Sequence, residues 1–365
     1  SFQFRDLSQR LEEEKESVLF DTLVKYRSKG FALGPFPGRP AFPTPQHPDV
    51  QPIVHKAFTV PKERWAESPA LGPQRMIVHG STPAFTSFND MTPRADSGYP
   101  YHTGAKFFKK VAQGGPGALA CLIDGVDWFM QFPTPEREWG RQCLKVRGEF
   151  WVIIVGMFGS VYAGDNANCM AQFLCNVGRD EYAIEGLDFY VDNFEVVVPG
   201  LSSGEPDWVK AKRVWRDLNL LMERFGVRCH HRAPPARMIA AVPGTLTGPD
   251  TDVVSHLGWC CDLQQQCAFV PEQKRPVIVR MVSVWSAQRK FSLADLESIC
   301  GFFLFLSIVL RYLRVHVGIL MKLKAKASTN VHRLGWQRKS RLLSSKQACA
   351  ALLTLQRSLQ DWGWQ

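Results

Sequence analysis

Hydrophobic residues along the chain group either into short runs of strand length or into longer stretches with helical spacing. The run that begins at Leu119 is the clearest strand signal, because five of its first six residues are small or apolar and it stops at Asp124. Two short apolar runs flank Asp192, which predicts a hairpin with a carboxylate at its tip. Helical spacing covers Asp6–Lys29, Asp207–Phe225 and Ser292–Lys326. We therefore expect a mixed helix and strand chain with two acidic strand ends.

The two acidic strand ends suggest a site for cations. A carboxylate at the end of a buried strand is costly unless a cation lies against it, and the usual cation is a metal ion or a basic side chain. If the strands that carry Asp124 and Asp192 meet at the same sheet edge, the two carboxylates can hold a pair of Mg²⁺ ions about 3.5–4 Å apart. Such a pair of ions serves in-line displacement at phosphorus.

The net charge of +10 is concentrated near the C-terminus. Between Ser298 and Gln360 the chain has no Asp or Glu but eleven Lys and Arg residues. A solvated basic face is the ordinary explanation for short basic clusters, whereas an acid-free stretch of 63 residues favours a polyanionic partner. Contacts of this kind give an affinity that depends on salt and not on nucleotide sequence. The candidate nucleic-acid contacts are Arg311, Arg314, Lys322, Lys324 and Lys326.

The remaining composition indicates an intracellular protein, cytoplasmic or nuclear, that is neither secreted nor embedded in a membrane. No secretory signal is recognisable, and the most apolar run, Ser298–Leu310, has 13 residues, too few to span a bilayer. The ten cysteines contain no C-x-x-C pair, so free thiols in a reducing compartment are expected. A zinc site at Cys229–His231 and Cys260-Cys261 is a weaker alternative, because the ligand spacing matches no recognised pattern.

Two acidic segments resemble the palm motifs of retroelement reverse transcriptases. Residues Asp124–Pro133 (DGVDWFMQFP) resemble the first motif, D-x-x-D-A-[FY]-x-x-x-P, and Tyr190–Asn193 (YVDN) resembles the Y-x-D-D box. Upstream, three short segments resemble the fingers pattern V-P-K, R-x-[IV]-x-D and S-x-N-D; they are Val60–Lys62, Arg75–His79 and Ser87–Asp90. The resemblance runs from about Leu33 to the end of the chain and is closest to DIRS-type and gypsy-type retrotransposon polymerases.

This resemblance implies an α+β, right-hand polymerase fold, with fingers, a palm that contains an antiparallel sheet, and a helical thumb. The implied segments are an N-terminal helix at 1–32, a Pro-rich arm and fingers at 33–118, the first part of the palm at 119–133, a return of the fingers at 134–155, the second part of the palm at 156–275, a thumb at 276–327 and a connection segment at 328–365. The connection would lead toward a ribonuclease H domain beyond this sequence. Integrase or recombinase domains would belong to the same parent polyprotein.

The resemblance also implies an activity and its residues. The chain would be an RNA-directed DNA polymerase that extends a DNA primer on an RNA template with deoxynucleoside triphosphates. Asp124 and Asp192 would be catalytic ligands of two Mg²⁺ ions, or of Mn²⁺, with Gly125 and Asn193 adding oxygen ligands. The nucleotide would contact Lys62, Arg75, Asp127, Trp128, Phe158, Gly159 and Phe129, the last at the position of the aromatic gate that excludes a 2′-hydroxyl. Nucleic acid would contact Tyr190, Leu257, Gly258 and Trp259, besides the basic residues above.

Departures from the family pattern define the alternatives. His79 and Asn193 each replace an Asp, Trp128 replaces an Ala, and the loop Gly226–Val242 lacks the family's Lys. An active polymerase is the first interpretation, and a degenerate, non-catalytic descendant that still binds nucleic acid is the second. A phosphatase that uses Asp124 as its nucleophile is a third and weaker hypothesis, because its motif requires an Asp where this chain has Val126.

Overall fold

The structure, a computed structural model, describes residues 16–41, 53–61, 74–78, 104–158, 160–230, 253–256, 259–263, 265–288, 290–334, 341–343 and 346–361. Helix α1 covers residues 16–28. The helices that follow are α2 Gly104–Gly114, α3 Glu136–Trp139, α4 Val161–Tyr182, α5 Trp208–Arg224, α6 Arg275–Ser286, α7 Leu293–Leu306, α8 Arg314–Leu334 and α9 Lys346–Asp361. Short 3₁₀ helices cover Trp128–Gln131, Glu272–Lys274 and Arg311–Leu313.

The strands are short and form several antiparallel sheets. In chain order they are β1 Ala32–Phe36, β2 Val54–His55, β3 Ala57–Pro61, β4 Gln74–Val78, β5 Leu119–Gly125, β6 Cys143–Val146, β7 Glu149–Ile153, β8 Asp188–Tyr190, β9 Asn193–Val198, β10 Cys229–His230, β11 Val253–His256, β12 Trp259–Asp262, β13 Cys267–Phe269, β14 Lys290–Ser292 and β15 Arg341–Leu343. The pairing of β2 with β6 is the one parallel pair among the described strands.

The central sheet has the strand order β10-β5-β9-β8, and every neighbouring pair is antiparallel. Strand β5 is covered on both faces. Cys121 and Ile123 belong to the core formed with α4 and α5, while Ala120 and Leu122 belong to a separate core that includes residues of α2. Because both faces are buried, the strand is an unbroken apolar run, which is the pattern that the sequence shows.

The hairpin predicted around Asp192 is present. Strand β8 pairs with β9 up to Tyr190↔Asn193, so Val191 and Asp192 form a two-residue turn. Val191 has φ 57°, a left-handed conformation that is unusual for a β-branched residue and that glycine normally supplies at the first position of such turns. The turn thus holds a strained residue beside a carboxylate, and strain of this kind clusters at functional sites.

A second sheet, in the order β1-β7-β6-β2, packs with α1 beside the end of β5. Its core joins Leu23 of α1 to Trp151 of β7, and Met76 and Val78 bring the β3–β4 hairpin into the same cluster. Met130, which follows β5 closely, belongs to this cluster as well. The N-terminal segment and the β3–β4 hairpin therefore lie beside the segment that follows the central strand.

The C-terminal helices form a further core around α7. A capping box at Ser292 and Asp295 begins this helix, and its buried residues pack with those of α6, α8 and α9.

Among the helices that the structure describes, none combines the length and the apolar character needed to cross a membrane. All ten cysteines are free thiols, as expected.

Several predictions of single elements are confirmed. The stretch predicted as a helix from Asp207 to Phe225 is α5, and the Asp207 side chain caps it by accepting a hydrogen bond of 2.9 Å from the Lys210 amide. The motif segment Arg75–His79 begins in strand β4, which pairs with β3 as a hairpin. The division into fingers, palm, thumb and connection stays a prediction.

Candidate active site at the end of the central sheet

The two acidic residues that stand out in the sequence lie together at one end of the central sheet. Asp124, in β5, is the cross-strand partner of Asn193 in β9, and Asp192 is the turn residue just before Asn193. The Gly125 amide donates a hydrogen bond of 2.7 Å to the backbone oxygen of Asp192, which ties the turn to the strand end. Both aspartates are half-buried. The structure therefore brings the two carboxylates together, as the sequence hypothesis requires, and their catalytic role stays a prediction.

Burial and repulsion between like charges shape the electrostatics of this pair. Burial raises the pKa of Asp192 above its ordinary value, and the charge of Asp124 raises it further. The Asn193 side chain, which donates from Nδ2 to Oδ1 of Asp192 over 2.8 Å, and the Arg75 guanidinium lower this pKa without reversing the shift. On the neighbouring strand, burial and then the charge of Asp124 raise the pKa of the Cys229 thiol to about 11. An added cation would therefore be stabilised here.

The donor set suits a hard cation that also binds substrate or water. Among the residues that the structure describes, no three His, Cys, Asp or Glu side chains are close enough to form a metal cage. Two carboxylates leave most ligand positions of Mg²⁺ to water and phosphate oxygens, which is a common mode of Mg²⁺ binding. Asn193 directs its amide nitrogen at Asp192, and the oxygen ligand expected from its side chain stays a prediction.

Arg75 and two phenylalanines form a stack beside the carboxylates. The Phe129 and Phe158 rings meet edge to face, with their centroids 4.9 Å apart. The Arg75 guanidinium carbon lies 4.9 Å from the centroid of Phe158, a cation–π arrangement. The backbone fixes the same group, because the Val78 amide donates to the Phe158 oxygen over 3.0 Å. Three of the residues assigned to a nucleotide site are thus in contact with one another.

Gly125 is required by close packing against Trp128. A Cβ atom at Gly125 would lie 2.7 Å from Cε3 of Trp128, closer than a carbon atom can approach. The indole is only 2% exposed and packs edge to face against Phe132 and Phe194 in the core beneath the sheet. The sequence placed Trp128 beside the nucleotide. The structure corrects this for the side chain, because the indole is buried in the core.

Asp127 is held by a residue that the sequence interpretation did not select. The Lys29 ammonium, just after α1, lies 2.5 Å from Oδ2 of Asp127, and about a third of each side chain is exposed, 35% and 32%. Asp127 has φ 49°, so the chain turns sharply after β5. Tyr26 of α1 lies close to this site. Burial and then the charge of Asp127 raise the pKa of Tyr26 to about 12, and the charge of Arg75 acts to lower it. In the sequence, the basic residues at the end of the predicted N-terminal helix indicate an acidic partner only weakly, because they do not say which carboxylate it is.

The remaining predicted contacts are dispersed or lie outside the described ranges. Tyr190 is half-buried beside the turn, paired with Asn193. Trp259 is 1% exposed and stacks on Phe305 with centroids 4.6 Å apart, so the structure places its ring in the C-terminal core and not at a nucleic-acid surface. Outside the described residues lie Lys62, His79, Gly159, Leu257 and Gly258.

The basic residues of the C-terminal part lie on one helix face and at its start. In α8 the positions 314, 318, 322 and 326 follow one another at four-residue spacing and are exposed, while Val317 and Leu320 are buried. Arg311 is also exposed, whereas Lys324 is half-buried. The predicted basic face is therefore accessible along Arg314, Lys322 and Lys326.

Comparison with known proteins identifies the fold. No protein-family model matches the chain, and no curated protein matches it. Among solved structures, the foamy viral protease–reverse transcriptase in complex with double-stranded DNA is similar, in one structure with TM-score 0.55 and 11% identity and in another with TM-score 0.53 and 13% identity. The same enzyme in complex with an RNA/DNA hybrid has TM-score 0.50 and 13% identity.

These similarities cover most of this chain but only part of the viral proteins. The matches include 92%, 95% and 85% of this chain, and 46%, 57% and 34% of the respective viral chains. This chain therefore spans between about a third and somewhat more than half of the solved proteins. The similarity shows that the chain has a reverse-transcriptase-like fold.

Proposed function

We propose that this chain is the RNA-directed DNA polymerase of a retrotransposon. The observation that supports this most directly is the meeting of Asp124 and Asp192 at the end of the central sheet, on a reverse-transcriptase-like fold. In this proposal the central sheet and its helices α4 and α5 are the palm. The β3–β4 hairpin and the β6–β7 strands belong to the fingers, and α7 and α8 form the thumb.

Asp124 and Asp192 would hold the Mg²⁺ ions, with Mn²⁺ as a substitute. The raised pKa of Asp192 supports this assignment, because two half-buried carboxylates that repel each other are stabilised by a shared cation. When bound, the ions supply positive charge that favours the deprotonated primer 3′-hydroxyl and offsets charge at the α-phosphate. The Gly125 carbonyl belongs to the same strand end and is the proposed additional oxygen donor.

The stack of Phe129, Phe158 and Arg75 would receive the incoming deoxynucleoside triphosphate. Arg75 offers a guanidinium for phosphate oxygens, and its position over Phe158 orients it. Phe129 is half-buried, is held edge to face by Phe158, and follows Asp124 by five residues. Its ring would lie under the sugar and exclude a 2′-hydroxyl.

The exposed cations of α8 and Arg311 would bind the phosphates of the primer and template. The similar viral structures contain double-stranded DNA or an RNA/DNA hybrid, which supports a nucleic-acid duplex as the partner. Tyr190, beside the turn, would contact the primer end. Ribonuclease H and integrase or recombinase domains would act with this chain in a parent polyprotein.

Primer extension tests the proposal. The full chain is given a poly-rA template, an oligo-dT primer, dTTP and Mg²⁺. We expect template-dependent extension that is abolished by Asp124→Asn and by Asp192→Asn, and retained by Asp180→Asn, a matched change at an exposed position near the end of α4. Extension that survives either site variant would refute the metal assignment.

One observation supports the non-catalytic alternative. Asn193 stands where the family has a second Asp, and its amide donates to Asp192, so one negative charge is missing at the site. If the wild-type chain binds an RNA/DNA duplex but extends no primer with Mg²⁺ or Mn²⁺, the chain is a nucleic-acid-binding descendant of a polymerase.

A further inference from the structure

The N-terminal segment places additional positive charge beside the candidate site. The Lys29 ammonium lies 5.6 Å from the centroid of the Phe31 ring, and the Arg228 guanidinium lies 5.1 Å from the same centroid. Phe31 is 5% exposed and meets Tyr26 edge to face, so its ring is fixed. Two cations from distant parts of the chain thus share one aromatic platform.

Hydrogen bonds fix Arg228 to the segment that follows the central strand. The Val126 amide donates to the Arg228 oxygen over 2.8 Å, and the Arg228 amide donates to Oε1 of Gln131 over 2.8 Å. The Gln131 side chain donates in turn to the backbone oxygens of Val126 and Arg228, over 2.7 and 2.9 Å. The backbone of Arg228 is therefore fixed beside Val126, the second residue after Asp124, and the exposed Arg228 side chain extends toward Phe31.

Arg75 lies beside the segment that follows the central strand. Its guanidinium carbon lies 4.9 Å from the centroid of Phe158, and that ring meets Phe129, two residues after Asp127. Lys29, Arg75 and Arg228 are all exposed to solvent. Asp127 is the acidic partner of Lys29, and the exposed pair contributes little to stability. A ligand with several negative charges can therefore replace Asp127 as the partner of Lys29.

We propose that Lys29, Arg75 and Arg228 form a polyphosphate-binding site, in which the Lys29–Asp127 pair opens to let the Lys29 ammonium bind phosphate oxygens. This inference deepens the proposed polymerase function, on which it rests, by assigning the triphosphate of the nucleotide to a site built partly by the N-terminal segment. The guanidinium groups give bidentate contacts to phosphate, and the lysine gives a mobile point charge. Asp127 keeps Lys29 in place until the ligand arrives.

A purely structural role for the Lys29–Asp127 pair makes a different prediction. If the pair only anchors α1, then Lys29→Ala and Asp127→Asn remove the same contact and have the same effect. If Lys29 binds phosphate, the two variants act in opposite directions, because the first removes the cation and the second releases it from its competing partner. The sign of the two effects therefore separates the explanations.

The first measurement is the affinity of the full chain for inorganic tripolyphosphate, without primer or template, by isothermal titration calorimetry. We expect Lys29→Ala and Arg228→Ala to weaken binding about tenfold each, and Asp127→Asn to strengthen it by about threefold or more. Lys25→Ala, an exposed lysine in the same helix, is the matched control and should bind as the wild type does. Equal affinities for wild type, Lys29→Ala and Asp127→Asn would overturn the inference, as would no binding by the wild type.

The second measurement is the KM for dTTP in primer extension. We expect Lys29→Ala to raise KM about tenfold with a smaller change in kcat. Extension with an unchanged KM would overturn the role of Lys29 and leave the polymerase proposal intact. Absence of extension by the wild type, together with Lys29-dependent binding of tripolyphosphate, would overturn the polymerase proposal and keep the site. If Lys29→Ala fails to fold, Lys29→Gln is used in both assays with the same criteria.

Discussion

Asp192→Asn should stabilise the metal-free protein while removing its proposed activity. The carboxylate of Asp192 is half-buried and repelled by Asp124, and both effects raise its pKa. Asparagine has nearly the same shape and carries no charge, so it relieves the repulsion without creating a cavity. Asp192 would thus be retained for metal binding at a cost in stability, a trade-off that is common at functional sites.

The size of the gain follows from the geometry of the strand pair. Asp124 pairs with Asn193 and Asp192 directly precedes Asn193, so one strand spacing and one residue rise separate the two backbones, and we take the charges to be on the order of 7 Å apart. At that distance two unit charges repel by about 2 kcal/mol with an effective dielectric constant of about 20. Since both side chains keep some contact with water, we expect a net gain of about 1 kcal/mol. For a chain of 365 residues this corresponds to roughly 1–2 °C in Tm if it unfolds in one step.

The sign of the pH dependence follows from the raised pKa. Between the ordinary value of 3.8 and the higher folded-state value, the folded protein binds more protons than the unfolded chain. The contribution of Asp192 to stability is therefore most favourable below pH 3.8, and it is lost as the pH rises through the folded-state pKa. The advantage of Asp192→Asn is complete at neutral pH and shrinks as the pH falls through that range.

Thermal unfolding with and without Mg²⁺ is the assay. In EDTA at neutral pH, Asp192→Asn should unfold at a higher temperature than the wild type. With added Mg²⁺ the wild type should gain stability, by about 1.4 kcal/mol when the ion is at ten times its Kd, and the variant should gain none. Asp180→Asn is the control for a general effect of removing a charge. A lower Tm of Asp192→Asn in EDTA, or an unchanged Mg²⁺ response, would refute the reasoning.

Three further predictions follow from the placement of other side chains. Phe129→Val should reduce discrimination between dTTP and UTP in kcat/KM by about tenfold or more; an unchanged ratio would remove Phe129 from the sugar position. Lys322→Gln combined with Lys326→Gln should lower the slope of log affinity against log salt for duplex binding by about 2, whereas exposed Arg213→Gln in α5 should leave it unchanged. Trp128→Ala should reduce the free energy of unfolding in urea by about 3–5 kcal/mol, and a loss below about 1 kcal/mol would contradict the burial of the indole.

The elements nearest the site could be predicted because their sequence signals are local. An apolar run that stops at Asp124 is typical of a strand buried on both faces, and the structure covers β5 on both sides. Two short runs on either side of Asp192 predict a hairpin, and the pairing of β8 with β9 is that hairpin. Turn and strand signals thus predicted both elements, whereas the pairing of β5 with β9, which brings the two carboxylates to one sheet end, was only a condition of the sequence hypothesis.

The contacts that were missed depend on the tertiary structure. Lys29 lies 98 residues before Asp127 in the chain, and no local period connects them. Trp128 follows a motif residue directly, so its sequence position alone cannot show whether the indole faces a ligand or the core. The indole lies in the core because Gly125 leaves room for the ring and Phe194 packs against it. The position of the Trp259 ring likewise depends on a contact between distant parts of the chain, because the ring stacks on Phe305 of α7.

The departures from the family pattern carry different weight once their positions are known. Trp128 lies in the core with its bulk accommodated at Gly125, so it does not by itself argue against activity. Asn193 lies at the site and removes one charge beside Asp192, whose own pKa is still raised by burial and by the charge of Asp124. Two carboxylates therefore still repel each other enough to favour a cation. The case for a non-catalytic descendant thus depends more on Asn193 than on Trp128, and the metal response of Asp192 addresses it directly.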